Sequence, residues 1–344
     1  MIILYSLQKL NGERTIYSIF HLLHGKQSSQ TIQDAFLYRL TPLFNTYPFL
    51  SRQELEEMLS FFKTNEWVRA ISDNDHYCLT EEGECILAGL ITEKPIPRYL
   101  DGMNVQKQSL LFWERLSLLV QVISYLQKRD SKYIPIQKNQ ETIHWIRMFL
   151  KQNRYNRKTL GMNLHSELVS CLEKERSINP NLIVVRLSGY HSIGLTIEQA
   201  AQKFNLETTH FYYEFLNILH FMVTEVQQKA EKFPILHTLI EPTKSRVLTQ
   251  SAEKTMELLQ QGYSLLEIID IRQLKKGTIE DHIVELALKI NDFSIEPYVT
   301  VEKQEKIKRA ASQSMSKQLK VILNMVEDVT YFQIRLVLAK YGDG

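Results

Sequence analysis

The sequence is poor in the residues that cross-link a chain or break its helices. Only three of its 344 residues are cysteines, Cys78, Cys85 and Cys171, too few for a disulfide framework and typical of a reducing compartment. It has 12 glycines and 9 prolines, whereas Leu, Ile, Glu, Lys and Gln are abundant, which favours helices. We therefore expect a mainly α-helical protein, and its length predicts two or three domains.

Long hydrophobic runs are also missing. No segment reaches the roughly 18 uncharged apolar residues of a membrane span. The nearest, LLFWERLSLLVQVISYL, is interrupted by Glu114 and Arg115. The apolar opening, MIILYSLQKL, lacks the basic segment and the small-residue cleavage site of a signal peptide. We expect a soluble, cytoplasmic chain without a membrane partner, with nucleoid association as an option.

Motifs that carry catalysis or bind cofactors are absent from the sequence. There is no GxxxxGK[ST] phosphate loop, no HExxH, no GxSxG and no CxxC. His76, Cys78 and Cys85 are too few for a closed zinc site, and Cys78 stands where a calcium loop over residues 73–84 would need glycine. We expect no enzyme activity, no cofactor, no metal and no small-molecule substrate.

Positive charge is concentrated in one segment. The net charge is +2, but residues 128–158 hold nine lysines and arginines against Asp130 and Glu141. Within it, WIRMFLKQNRYNRK predicts a helix with a basic face, because cations recur every three or four residues. Trp145 and Phe149 fall on another face and are expected in the core. The candidate nucleic-acid contacts are Arg147, Lys151, Arg154, Arg157 and Lys158; a merely solvated basic face, or one paired with acidic helices, is the alternative.

The first 95 residues are predicted to form a winged-helix domain. Apolar periodicity predicts helices over residues 14–23 and 28–40, and Ser51 with Glu54 forms a capping box that opens a third. Two strand-like runs, WVRAI and HYCLT, flank a polar turn and predict the β-hairpin wing. Pro95 and Pro97 mark the end of this domain.

A helical middle domain is predicted over residues 104–235. Its string GLTIEQAAQKFNLETTHFYYEFL resembles a helix-turn-helix, with a capping box at Thr196 and Gln199 and a cap at Thr208. Tyr212 and Tyr213 belong to an aromatic run that cannot all point inward. They are candidates for an exposed partner surface, and packing in the core is the alternative.

The C-terminal domain, residues 243–344, carries the clearest helix-turn-helix pattern. The first helix, SAEKTMELLQQG, ends at Gly262, and the second begins at Ser264, which Glu267 caps. After a turn over residues 274–277 the third helix is predicted to begin at Thr278. The tail beyond residue 297 is again helical.

Short motifs of this pattern occur in a known domain. They are Leu258-Leu259, Gly262-x-Ser264, Glu267-Ile268, Arg272-x-Leu274 and Thr278-Ile279-x-x-His282. Residues 246–307 resemble the helix-turn-helix at the C-terminus of bacterial RecQ-type DNA helicases. The whole arrangement is similar to a family of bacilli that carries this domain without the motor. The resemblance implies a partnership with a RecQ-type helicase and identifies no reaction.

The charges on the predicted recognition helices favour protein contacts over DNA contacts. A recognition helix usually presents cations or amides to DNA, but the third helix offers acids, as does the helix after Ser51. We assign nucleic-acid contacts to Lys275, Lys276, Thr278 and His282, and partner contacts to Glu54, Glu57, Glu280, Asp281 and Glu285. The favoured hypothesis is an adaptor that docks on a RecQ-type helicase and contacts DNA non-specifically, single-stranded or at a junction. A helix-turn-helix transcription regulator and a scaffold without DNA contact are the alternatives.

Overall fold

The computed structural model describes residues 1–72, 74–130, 132–152, 157–241, 248–314 and 318–342, and only the backbone of residues 157 and 158. The described residues are mainly helical and contain one two-stranded sheet, so the predicted fold class is confirmed. The chain forms two compact units. One consists of Met1–Pro95 and Thr243–Gly344, and the other of Ile96–Pro242; we call them the terminal unit and the middle unit.

The N-terminal segment of the terminal unit contains five α-helices and the hairpin. The elements are α1 (Ile2–Leu10), α2 (Ile16–Leu23), α3 (Ser29–Leu37), α4 (Arg52–Thr64), β1 (Val68–Ser72), β2 (His76–Leu79) and α5 (Glu81–Glu93). The predicted capping box of α4 is present, since Glu54 accepts from the Ser51 N–H at 2.7 Å and Ser51 Oγ accepts from the Glu54 N–H at 3.1 Å. The antiparallel hairpin is also confirmed. The winged-helix identity of this segment stays a prediction.

The middle unit is built around two long helices. Its elements are α6 (Gly102–Gln127), α7 (Gln140–Gln152), α8 (Arg157–Leu172), α9 (Asn181–Val184), α10 (Ile197–Lys203), α11 (Thr208–Gln228) and α12 (Pro234–Leu239). In the part of the chain that the structure describes, α6 alone is long and apolar enough to cross a membrane, but 56% of its most apolar window is buried inside the protein. It packs against α7, α8, α11 and α12, and Phe112, Leu116 and Leu119 are fully buried. Helix α6 is therefore the core helix of this unit.

The C-terminal segment completes the terminal unit. Its helices are α13 (Gln250–Gln260), α14 (Leu265–Arg272), α15 (Lys276–Lys289), α16 (Val301–Gln313), α17 (Leu319–Met325) and α18 (Tyr331–Tyr341). Helix α15 lies at the centre and packs against α13, α14 and α18, and also against α3 of the N-terminal segment. The two terminal segments, predicted from the sequence to be separate domains, thus share one compact unit.

Candidate partner and nucleic-acid surfaces

The helix-turn-helix itself is formed by α14 and α15. Helix α14 opens with the predicted capping box, in which Glu267 accepts from the Ser264 N–H at 2.8 Å. It ends at Gln273, whose φ of 51° places it in the left-handed region and turns the chain toward α15. Helix α15 begins at Lys276 with Lys275 as its N-cap residue, so the predicted start at Thr278 was wrong by two residues. Lys275 and Lys276 consequently lie in and beside the first turn of α15.

His282 lies inside the terminal unit. Its Nδ1 is 2.9 Å from Thr255 Oγ1 on α13, and Arg272 of α14 donates to the same hydroxyl at 2.6 Å. Burial lowers the pKa of His282, and the positive charge of Arg272 lowers it further. The side chain therefore links three helices as a neutral ring, and we withdraw its assignment as a nucleic-acid contact.

The acids of α15 are used within the protein. Glu285 is buried and accepts from the Thr249 N–H at 2.7 Å, from the Thr249 hydroxyl at 2.9 Å and from Lys289 at 3.0 Å. We therefore withdraw it as a partner contact.

Asp281 and Glu280 are less buried than Glu285. Asp281 pairs with Arg335 of α18, and Arg335 also donates to Gln33 of α3 at 3.0 Å. The Asp281 carboxylate thus links helices within the protein, and no binding partner is needed to explain its charge. Glu280 is half-buried, and its Oε1 lies 3.7 Å from Lys276 Nζ. It remains a candidate partner contact.

The exposed part of the helix-turn-helix is the outer face of α14. Leu266 is 70% exposed and Ile271 52% exposed, and Glu267 and Asp270 lie exposed beside them. None of these four side chains was assigned to a surface from the sequence. Helical spacing does not reveal this surface, because Ile271 stands three residues after the buried Ile268 and would be expected on the same face.

Four residues of this domain were predicted to contact nucleic acid, and those that reach the surface lie in and beside the first turn of α15. Lys275 and Lys276 are exposed, and Thr278 is half-buried. Lys276 lies 3.7 Å from Glu280, one turn further along, and such an exposed pair stabilises the helix only slightly. Two lysines beside a helix N-terminus are able to contact phosphate, but they offer no pattern for recognising a base sequence.

Helix α4 keeps the acidic surface that the sequence predicted. Glu54 and Glu57 are both exposed. Hydrogen bonds from Ser51 lower the pKa of Glu54, and Glu57 accepts from the Gln53 amide at 2.8 Å. On the same helix Phe61 is 54% exposed. Acidic and apolar side chains together suit a protein partner better than a phosphate backbone, and the assignment of both glutamates stays a prediction.

In the middle unit, the tyrosines of the second helix-turn-helix pattern are not exposed. Tyr212 and Tyr213 are 6% and 2% exposed on α11, so the exposed-partner interpretation was wrong and core packing is correct. Thr208 begins α11 but does not cap it. Glu207 does, accepting from the N–H groups of Thr209 at 2.8 Å and His210 at 2.9 Å.

The basic face of α7 is accessible where the structure describes it. Arg147 and Lys151 are exposed, and Phe149 is buried as predicted. Trp145 stacks on Phe149 with ring centroids 5.3 Å apart, and the Arg115 guanidinium lies 4.4 Å from the centroid of the Trp145 ring. Arg154 lies outside the described residues, and Arg157 and Lys158 are described only as helical backbone.

No metal centre is evident in the described ranges, where no three His, Cys, Asp or Glu side chains form a cluster that could hold an ion. Cys78 and Cys171 are buried and Cys85 is exposed, all three as free thiols. Burial raises the pKa of Cys171 to about 12, so this thiol stays protonated and unreactive.

Comparison with known proteins identifies the C-terminal part and the family. A family model described as a helix-turn-helix domain matches residues 251–338. Protein YpbB of Bacillus subtilis (strain 168) is 33% identical over 341 residues, which cover 99% of this chain and 96% of that protein. No solved structure matches the chain. A helix-turn-helix domain supports a DNA-binding or helicase-associated role without naming a partner. The resemblance inferred from the sequence is confirmed, and the chain belongs to the YpbB family.

Proposed function

We propose that this chain is a non-enzymatic adaptor that docks on a RecQ-type DNA helicase through α14 and contacts DNA non-specifically through its middle unit. The observation that carries the proposal is the enclosure of α15 beyond its first turn. A recognition helix enters the major groove, which is about 12 Å wide, and exposes a face to base edges. Here residues 282–287 of α15 are all buried, and α3, α13 and α18 pack around them.

The face of α14 has the composition of a protein interface. Protein interfaces have an apolar centre within a polar rim, and a few central side chains dominate the affinity. Leu266 and Ile271 supply apolar area, and the acids Glu267 and Asp270 lie on the same exposed face. The partner surface should therefore combine apolar side chains with cations. A RecQ-type helicase is the partner that the sequence resemblance favours.

The docking surface is tested with the purified chain and a purified RecQ-type helicase from the same source. We expect Leu266→Arg with Ile271→Arg to weaken the complex at least tenfold, about 1.4 kcal/mol, in calorimetry at moderate salt. Met162→Arg is the matched control, since Met162 is 61% exposed on α8 of the middle unit, and it should leave affinity unchanged. Equal affinity of all variants for the helicase, or no binding by the unmodified chain, contradicts the proposal.

A transcription regulator is the second candidate, and one observation favours it. Helix α4 is exposed along most of its length and is the helix placed for DNA recognition in the winged-helix interpretation. Glu54, Glu56 and Glu57 on that face would repel phosphate. Selection from a pool of random duplexes distinguishes the two: enrichment of one sequence supports a regulator, and its absence supports the adaptor.

A further inference from the structure

Two loops of the middle unit are held against the same stretch of α6. The first, residues 132–139, is fixed by Gln121, whose amide donates to the Ile134 carbonyl at 3.0 Å and accepts from the Ile136 N–H at 2.9 Å. The second, residues 188–193, is fixed by Ser124, whose hydroxyl accepts from the Tyr190 N–H at 2.8 Å. Gln121 and Ser124 are three residues apart, so they lie on neighbouring positions of one helix face.

An aromatic cluster joins the loops. The Tyr125 ring of α6 lies 4.9 Å from the Tyr133 ring of the first loop and 5.2 Å from the Tyr190 ring of the second, measured between centroids. The second loop is also closed by paired backbone hydrogen bonds between Gly189 and Ser192, 2.8 and 3.1 Å long. Aromatic contacts and backbone pairing give these loops a defined shape.

Each loop presents an isoleucine to solvent. Ile134 is 89% exposed and Ile193 is 86% exposed, and both line one open groove of 930 Å³. Single exposed apolar side chains are common on protein surfaces. Two isoleucines on two fixed loops beside a tyrosine cluster form a larger apolar feature, and burying them against a ligand would be favourable.

The rim of the groove is positively charged. Lys132 and Lys138 line it, and Lys128 and Arg129 are exposed at the adjoining end of α6. None of these four forms an ion pair with a described residue, whereas elsewhere in the unit Lys174 and Lys229 both pair with Glu225. The one acid in the first loop region is Asp130, whose carboxylate accepts from the Lys132 N–H at 2.8 Å.

We propose that this groove binds single-stranded nucleic acid, with phosphates on Lys132 and Lys138 and with bases against Ile134, Ile193 and the tyrosine cluster. Cations that track the backbone beside apolar and aromatic platforms are what a single strand requires. A duplex keeps its bases stacked and would meet only the cations. The inference rests on the proposed DNA contact of the middle unit, and it does not depend on the helicase.

The test uses the full-length chain and fluorescence anisotropy over a salt series. The probes are labelled oligodeoxythymidine and oligouridine strands, each about 12 nucleotides long, and a duplex of the same length. We expect the single strands to bind more tightly than the duplex. Binding of either strand supports the groove, and the tighter of the two distinguishes DNA from RNA as its natural source.

Paired variants separate the apolar from the charged part of the groove. Ile134→Ala with Ile193→Ala should weaken single-strand binding about tenfold and leave its salt dependence unchanged. Lys132→Gln with Lys138→Gln should flatten the slope of log Kd against log salt by about 1.4, since each phosphate contact on a single strand contributes about 0.7. The controls are Met162→Ala and Lys107→Gln, exposed residues of the same unit outside the groove.

Three results would overturn the inference. They are equal affinity for strand and duplex, unchanged affinity in both groove pairs, and binding of a protein at this groove with no nucleic-acid binding. If Arg147→Gln with Lys151→Gln alters DNA binding while both groove pairs do not, the groove is wrong and the proposed DNA contact of the middle unit stands. Loss of helicase binding leaves the groove intact.

Discussion

Acidification should destabilise the middle unit through His220. This side chain is fully buried in α11, and its Nδ1 accepts from the Asp101 N–H at 2.9 Å. The ring proton therefore resides on Nε2, which donates to Gln106 Oε1 at 2.7 Å. Burial lowers the pKa of His220 to about 4, so between about pH 4 and pH 6.5 the folded unit holds a neutral ring where the unfolded chain holds a protonated one.

The sign and size of the effect follow from the two pKa values. The unfolded pKa is about 6.5 and the folded value about 4, so the stability is intact above pH 6.5 and is lost as the pH falls toward 4. The difference between these two pKa values corresponds to about 3.4 kcal/mol in total, because one pKa unit is worth about 1.36 kcal/mol. At pH 5 the unfolded histidine is largely protonated and the folded one is not, which gives about 2 kcal/mol.

The assay is urea unfolding at pH 7.5 and pH 5.0 in a Trp67→Phe background, in which the remaining tryptophans, Trp113 and Trp145, both report on the middle unit. His220→Gln is compared with His220 in that background, because glutamine cannot titrate. We expect the protein with His220 to lose about 2 kcal/mol more on acidification than the glutamine variant. Equal losses would refute the assignment of a buried neutral histidine, since all other groups titrate in both proteins.

Two further predictions concern residues that the sequence had assigned to surfaces. Glu285→Ala should lower the free energy of unfolding of the terminal unit by about 2 kcal/mol, because Thr249 loses its buried acceptor. Glu280→Ala should lower it by less than about 1 kcal/mol. Both are measured by thermal melts followed by circular dichroism, and an equal loss of stability in the two variants would contradict the reasoning. Arg147→Gln with Lys151→Gln should flatten the salt slope of single-strand binding by about 1.4, as measured by anisotropy, and an unchanged slope would show that α7 is a solvated face.

Local chemistry made several features predictable from the sequence. The capping boxes predicted at Ser51, Thr196 and Ser264 are all present in the structure. Gly262, predicted to end α13, has a φ of 90° just beyond the C-cap. These features depend on side chains within four residues of one another, so the information lies in a short stretch of sequence.

Burial within the terminal unit was not predictable in the same way. From the sequence of residues 243–344 alone, His282 and Glu285 are expected to be exposed, because the apolar residues of α15 lie on a single helix face and these two lie outside it. In the structure α13 and α18 contact α15, and α3, about 250 residues earlier in the chain, contacts it as well. A helix with neighbours on several sides buries polar residues, and Thr255 and Thr249 satisfy these two.

The candidate surfaces escaped the sequence analysis for a related reason. Ile134 and Ile193 lie in segments without periodicity, 59 positions apart, and their exposure depends on how Gln121 and Ser124 hold the backbone. Leu266 and Ile271 are ordinary apolar residues of a helix, and only the packing of α14 shows which side is uncovered. By contrast, the exposed cations Arg147 and Lys151 were predictable, since charge at helical spacing is local information.

Docking on a RecQ-type helicase through α14 is tested most directly in the native cell. The tagged chain and its Leu266→Arg with Ile271→Arg variant are captured after nuclease treatment, and the recovered proteins are identified by mass spectrometry. We predict that a RecQ-type helicase is recovered with the unmodified chain after nuclease treatment and is lost with the variant. Recovery of RNA polymerase or of no partner with the unmodified chain, or helicase recovery that the variant does not change, would contradict it.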